Sequence, residues 1–171
     1  MGVVGTHGQH RAKHPRSVIA GPYGHPYHPV MVTVPIGAWV ASVVFDIVAL
    51  AGNADAAAFR EGAYWLIAIG VVGAVLAAFF GILDLLTIPP GTKAFRTAVT
   101  HMSINLVVVV LFVVNFALRA SQGYERRNVV AFVLSVIGVA LLGASGWLGG
   151  KLAYRYGVRV ASEETQSEGF T

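Results

Sequence analysis

HPVMVTVPIGAWVASVVFDIVALA, residues 28–51, is the stretch that decides the fold. After His28 it holds a single ionisable side chain, Asp46, in a run otherwise dominated by Val, Ile, Ala and Leu. About 20 such residues suffice to cross the hydrocarbon of a bilayer as a helix, so this stretch reads as a transmembrane span. Pro29 falls where a first helical turn tolerates a missing amide proton, which leaves His28 at the cap. Pro35 falls inside the helix, where it should bend the span or free a carbonyl for a partner.

Three further apolar runs follow, Tyr64 to Ile88, Ala98 to Leu118 and Val129 to Leu148, after the first at Val30 to Ala51. Charged residues make up only 12% of the 171 positions, hydrophobic ones 56%, and the mean hydropathy is +0.68. A soluble domain carries roughly 25% charge, so a soluble fold is excluded. The expected fold is all-α: a polytopic membrane protein whose four transmembrane helices form a bundle spanning 28–160. A mobile tail rich in His, Gly and Pro is expected at 1–27 and an acidic tail at 161–171. Four spans leave no room for a soluble catalytic domain. With no cysteine, disulfides, thiolate metal sites and iron–sulfur ligation are excluded. No phosphate loop, nucleophile elbow or His-Glu-x-x-His helix is present, so a hydrolase or nucleotide enzyme is not expected.

An even number of spans puts both termini on one side. Arg11, Lys13, Arg16, Lys93, Arg96, Lys151, Arg155 and Arg159 fall on that side, against Arg60, Arg119, Arg126 and Arg127 on the other. Positive charge marks the cytoplasmic face, so the expected topology is N-in and C-in. The net charge of +4 then follows from topology and contact with anionic lipid, and nucleic acid is not an expected partner.

Ionisable residues within spans are costly and face protein or water, so they mark candidate sites. His28 starts span one, His101 starts span three, and Asp84 ends span two, all at the same face. Asn105 lies one turn deeper than His101. Spans one and three of an up-down bundle are commonly diagonal, which sets the two imidazoles facing each other as axial-ligand candidates for haem b. Asp84 and Asn105 are the candidates to orient them, and glycines of spans two and four would supply the room. His28, His101 and Asp84 also compose a two-histidine, one-carboxylate set for a non-haem ion or for proton handling. The structural alternative has the histidines bonding loop carbonyls and Asp84 pairing with Lys93 or Arg96. On the opposite face Asp46 and Arg119 could form an ion pair. Each stands 18 positions after its span's histidine, but the rest of the two halves does not align well enough to support a duplication.

The motifs HPVMVTVPIG (28–37) with Asp46, GILD (81–84), His101 with Asn105, and GWLGG (146–150) followed by Leu152, Tyr154, Tyr156, Gly157 and Val158 have a counterpart. Over His28 to Val160 the chain resembles a family of bacterial four-span membrane proteins of unknown function, some of which are joined to a Rieske iron–sulfur domain. Some members carry a further histidine where this chain has Thr33. The resemblance implies the fold, the membrane location and, through the Rieske fusions, redox company. The expected function is therefore a b-type haem electron-transfer protein beside a respiratory or redox complex. The alternative is a cofactor-free accessory subunit of a larger membrane complex or a homo-oligomer, and a stand-alone enzyme is not expected.

The topology is checked by cysteine labelling. A cysteine at Ser167 should resist an impermeant thiol reagent in intact cells while one at Gln122 reacts, and the reverse pattern would invert the bundle.

Overall fold

The computed structural model describes residues 7–52, 55–123 and 126–171. Four of its helices are long and apolar enough to cross a membrane: His28–Leu50 (span 1), Ala56–Leu85 (span 2), Lys93–Gln122 (span 3) and Val129–Arg155 (span 4). No strand occurs among the described residues. The helices extend beyond the apolar runs because hydrophobicity reports the hydrocarbon, whereas hydrogen bonding carries a helix on into the headgroups. Span 2 starts at Ala56, well before Tyr64, through a segment of good helix formers. Span 3 starts at Lys93 because the Thr92 hydroxyl accepts the Phe95 amide at 3.1 Å and caps the first turn. Its 30 residues measure about 45 Å at 1.5 Å per residue, the full bilayer including headgroups.

Span 1 is interrupted where Pro35 predicts it. Val32 separates a short helix at His28–Met31 from a longer one at Thr33–Leu50, and the Thr33 hydroxyl donates to the Val30 carbonyl at 2.7 Å. Span 4 ends in a π-helical turn at Lys151–Arg155. Trp147 and Tyr154 there project outward, in keeping with the interfacial preference of amphipathic rings. Large apolar side chains such as Val44, Val72, Leu106 and Ile137 are also exposed, because lipid is as apolar as they are and burial gains nothing.

Small residues instead let the backbones approach. Span 1 packs on span 2 and span 3 on span 4, with contacts of 2 on 3 and 1 on 4 closing the bundle. Spans 1 and 3 are therefore diagonal and meet only through side chains. At mid-bundle Trp39 and Phe112 stack with centroids 4.1 Å apart and planes 5° from parallel. Gly70 and Gly138 make that possible: a Cβ at Gly70 would lie 2.2 Å from Trp39 Nε1, and one at Gly138 2.6 Å from Phe112 Cε2.

These pairs reveal an internal repeat that sequence alignment of the two halves does not support. Pro35, Trp39, Ser42 and Asp46 are buried in span 1, and Val108, Phe112, Asn115 and Arg119, each 73 positions later, are buried in span 3. In spans 2 and 4 the buried set Ala63, Ile67, Gly70 and Ala77 recurs 68 positions later as Ala131, Ser135, Gly138 and Ser145. Two helical hairpins are thus related by an approximate two-fold axis along the bundle. The alignment is hidden because two different offsets are needed and because equivalent positions share burial, not chemistry.

The N-terminal tail, expected to be mobile, packs on residues 159–162 at the histidine-bearing end; residues 1–6 lie outside the described residues. His7–Lys13 forms a short helix. The Arg159 amide donates to Ala12 O at 2.9 Å, Lys13 Nζ to the Val160 and Ala161 carbonyls at 3.2 Å, and the Ser162 amide to the Tyr23 hydroxyl at 2.7 Å. Tyr23 stacks on His14 at 4.3 Å. Composition marked these segments as polar but could not register that each supplies the other's hydrogen-bond partners.

The glycine contacts make a stability prediction. Gly70→Val and Gly138→Val should each destabilise by about 1–3 kcal/mol of overpacking and so lower the thermal unfolding midpoint in detergent. Gly143→Val, at a position with open space around it, should leave the midpoint near that of the parent chain.

Candidate functional site

At the tail-covered end, span 1 delivers His28 and span 3 delivers His101 across the bundle axis. Their ring centroids are 6.4 Å apart and their planes stand at 89°. Each ring is anchored through Nδ1 to a carbonyl of the partner helix in its own hairpin: His28 to Ala77 O at 2.9 Å, His101 to Ser145 O at 2.8 Å. A carbonyl only accepts, so Nδ1 carries the proton in both rings and Nε2 keeps its lone pair. Ala77 and Ser145 are equivalent positions of the repeat, which is why the two imidazoles are held alike. Glycines again provide the space, since a Cβ at Gly81 would lie 3.0 Å from His28 Cε1 and one at Gly149 3.3 Å from His101 Cε1.

The surroundings of the two rings differ in their side chains. Asn105 Nδ2 donates to His101 Nε2 at 3.1 Å, while the equivalent residue beside His28 is Val32, which has no polar side chain. The Ser145 hydroxyl also lies 2.8 Å from His101 Nδ1. Among the residues singled out from sequence, His28, His101 and Asn105 therefore converge. Asp84 does not join them.

Asp84 is taken by a residue that sequence reasoning missed. Arg159 Nε lies 2.8 Å from Asp84 Oδ1, and Arg159 Nη2 donates to the Ala20 and Gly21 carbonyls at 3.0 Å each. The expected partners, Lys93 and Arg96, are not the ones used. Arg159 adopts a left-handed backbone, φ 60°, which turns the C-terminal segment back over the bundle. The only sequence signal was its place among the basic anchors after span 4, and nothing there marks one arginine as the partner of a carboxylate 75 positions away. The His28, His101 and Asp84 ligand set accordingly does not form. No group of three or more His, Asp or Glu side chains able to hold an ion occurs among the described residues.

At the opposite end Arg119 donates Nη1 to Asp46 Oδ1 at 2.9 Å and Nη2 to Asp46 Oδ2 at 2.6 Å. Its Nε donates to Asn115 Oδ1 at 2.8 Å, and Asn115 Nδ2 reaches Ala131 O and Ser135 Oγ at 2.8 and 2.7 Å. Both charged groups are about 5% exposed, and the fork-to-fork geometry satisfies the carboxylate while linking spans 1, 3 and 4. This is a closed structural network, separated from the imidazoles by the Trp39–Phe112 stack.

Four spans, with two imidazoles at one end and a buried ion pair at the other, define a polytopic membrane protein with a built polar site. The family model described as "Predicted membrane protein (DUF2231)" matches residues 24–162, and the chain belongs to that family. No curated protein matches the chain, and no solved structure does.

The ion pair sets up a double-variant test. Arg119→Met or Asp46→Leu alone should destabilise by about 3–5 kcal/mol, because each leaves one buried charge uncompensated. The double variant should recover most of that loss in a thermal unfolding measurement.

Proposed function

We propose that the chain is a small b-type haem protein of the bacterial cytoplasmic membrane, with His28 and His101 as axial ligands, passing electrons beside or within a redox assembly. The observation that carries this reading is the pair of Nδ1-anchored imidazoles from diagonal helices. Two imidazoles ligating one ion at about 2.0 Å from each Nε2 have ring centroids about 6 Å apart, close to the spacing here. Donation of each Nδ1–H to a carbonyl fixes the ring and raises the basicity of Nε2, the usual orienting device behind a ligating histidine. Gly81 and Gly149 let the helices seat closely against the two rings, since a Cβ would lie 3.0 and 3.3 Å from their Cε1 atoms.

The remaining residues have definable parts. Bound haem would supply a one-electron redox centre. Trp39 and Phe112 close the bundle beneath the histidines and keep water from crossing. The Asp84–Arg159 pair and the interlocked tails cover the end. Asn105 donates to His101 Nε2 at 3.1 Å, so ligation at that nitrogen requires its amide to turn away. Proton handling by the same imidazoles has less support, because Nδ1 of each is committed to a carbonyl and no acidic side chain joins them among the described residues. The alternative, a cofactor-free accessory subunit, is distinguished by colour.

The test is the oxidised and dithionite-reduced absorption spectrum of protein purified in mild detergent from haem-sufficient cells. The expected result is near one haem per chain, with a Soret band that moves on reduction. In His101→Ala and His28→Ala the band should be lost or strongly reduced while the four-helix circular dichroism is retained. A colourless protein that copurifies with stoichiometric partners would replace this reading with the accessory-subunit one.

A further inference from the structure

The face opposite the histidines carries a cleft whose lining is far from neutral. Arg60, Arg119, Arg126 and Arg127 border it, and Asp46 is the acidic residue of its lining among the described residues. Both Asp46 oxygens accept from Arg119, which leaves the lining with an excess of guanidinium charge. Asn128, at the same rim, caps span 4 through the Ala131 amide at 2.9 Å, which places the positive end of a long helix beside the arginines. Ala49, Leu50 and Phe132 complete the wall. The cleft sits where span 1 ends and span 4 begins, at the level of the headgroups.

We infer that this cleft binds the phosphate of an anionic lipid headgroup, with Arg126 and Arg127 as its principal donors. Three observations select that ligand. Guanidinium groups present paired donors that match phosphate oxygens. The cleft is small, about 30 Å3, and open to its surroundings, so the body of a lipid must remain outside in the interface. The apolar wall of Ala49, Leu50 and Phe132 then meets the glycerol and upper acyl region, which a free anion does not possess. Arg119 contributes field through the floor and stays paired to Asp46. The site is independent of the haem reading, since the two lie at opposite ends of the bundle.

The test uses the full chain in a neutral detergent, titrated calorimetrically with short-chain phosphatidylglycerol and, separately, with inorganic phosphate. Saturable binding of about one phosphatidylglycerol per chain is expected, with inorganic phosphate much weaker. Arg126→Gln with Arg127→Gln should weaken it about tenfold or more, since hydrogen bonds to charged groups are lost. Both residues lie outside the helices, so the unfolding midpoint should hold. Lys93→Gln with Arg96→Gln, which removes equal charge at the other end, should change affinity less than twofold. Inorganic phosphate binding as tightly as the lipid would overturn the headgroup assignment in favour of a free oxyanion. Absence of saturable binding, or equal weakening by both double variants, would overturn the site itself.

Discussion

The stack of Trp39 on Phe112 is the contact on which the bundle turns. Spans 1 and 3 are diagonal, so their backbones do not meet, and only side chains of this size can bridge the axis. In lipid no hydrophobic force drives helices together, so association depends on close fit and on polar bonds between helices. Gly70 and Gly138 admit the two rings, and the indole Nε1 donates to Ile67 O at 3.3 Å. The stack sets the separation of spans 1 and 3, and that separation sets the distance between His28 and His101 above it and between Asp46 and Arg119 below.

The approximate two-fold axis explains why the site is paired. Each hairpin brings an imidazole from its first helix, a carbonyl from its second to orient that imidazole, and a glycine to make room. Two copies of that unit, facing each other, place two imidazoles on the axis. The same axis at the other end brings unlike charges together, Asp46 against Arg119, because burial requires neutrality and two identical charges would repel. Departures from symmetry are where function can differ between halves: Asn105 stands beside His101 but Val32 beside His28.

Both ends of the bundle are finished by segments outside the spans. At the histidine end the N- and C-terminal segments exchange hydrogen bonds, and Arg159 ties them to Asp84. At the other end the residues before span 4 bring Arg126, Arg127 and Asn128 to the rim. The spans fix distances, while these connections decide what can reach the polar groups.

Much of this was readable in the sequence. The four apolar runs determined the number of helices, because only a helix satisfies its own backbone in lipid. The ionisable side chains His28, Asp46, His101 and Arg119 were legible as inward-facing, since charge in a span turns away from lipid. Tertiary structure alone decided which groups answer one another. Asp84 could have met either histidine or Lys93, and it met Arg159, because a backbone turn brought a distant residue to it. The carbonyls of Ala77 and Ser145 orient the imidazoles, and a main-chain oxygen leaves no mark in a sequence, being common to every residue. Polarity and period along one helix determine which side chains must be buried, but the partner of each depends on how far apart the helices stand, and side-chain packing across the axis sets that distance.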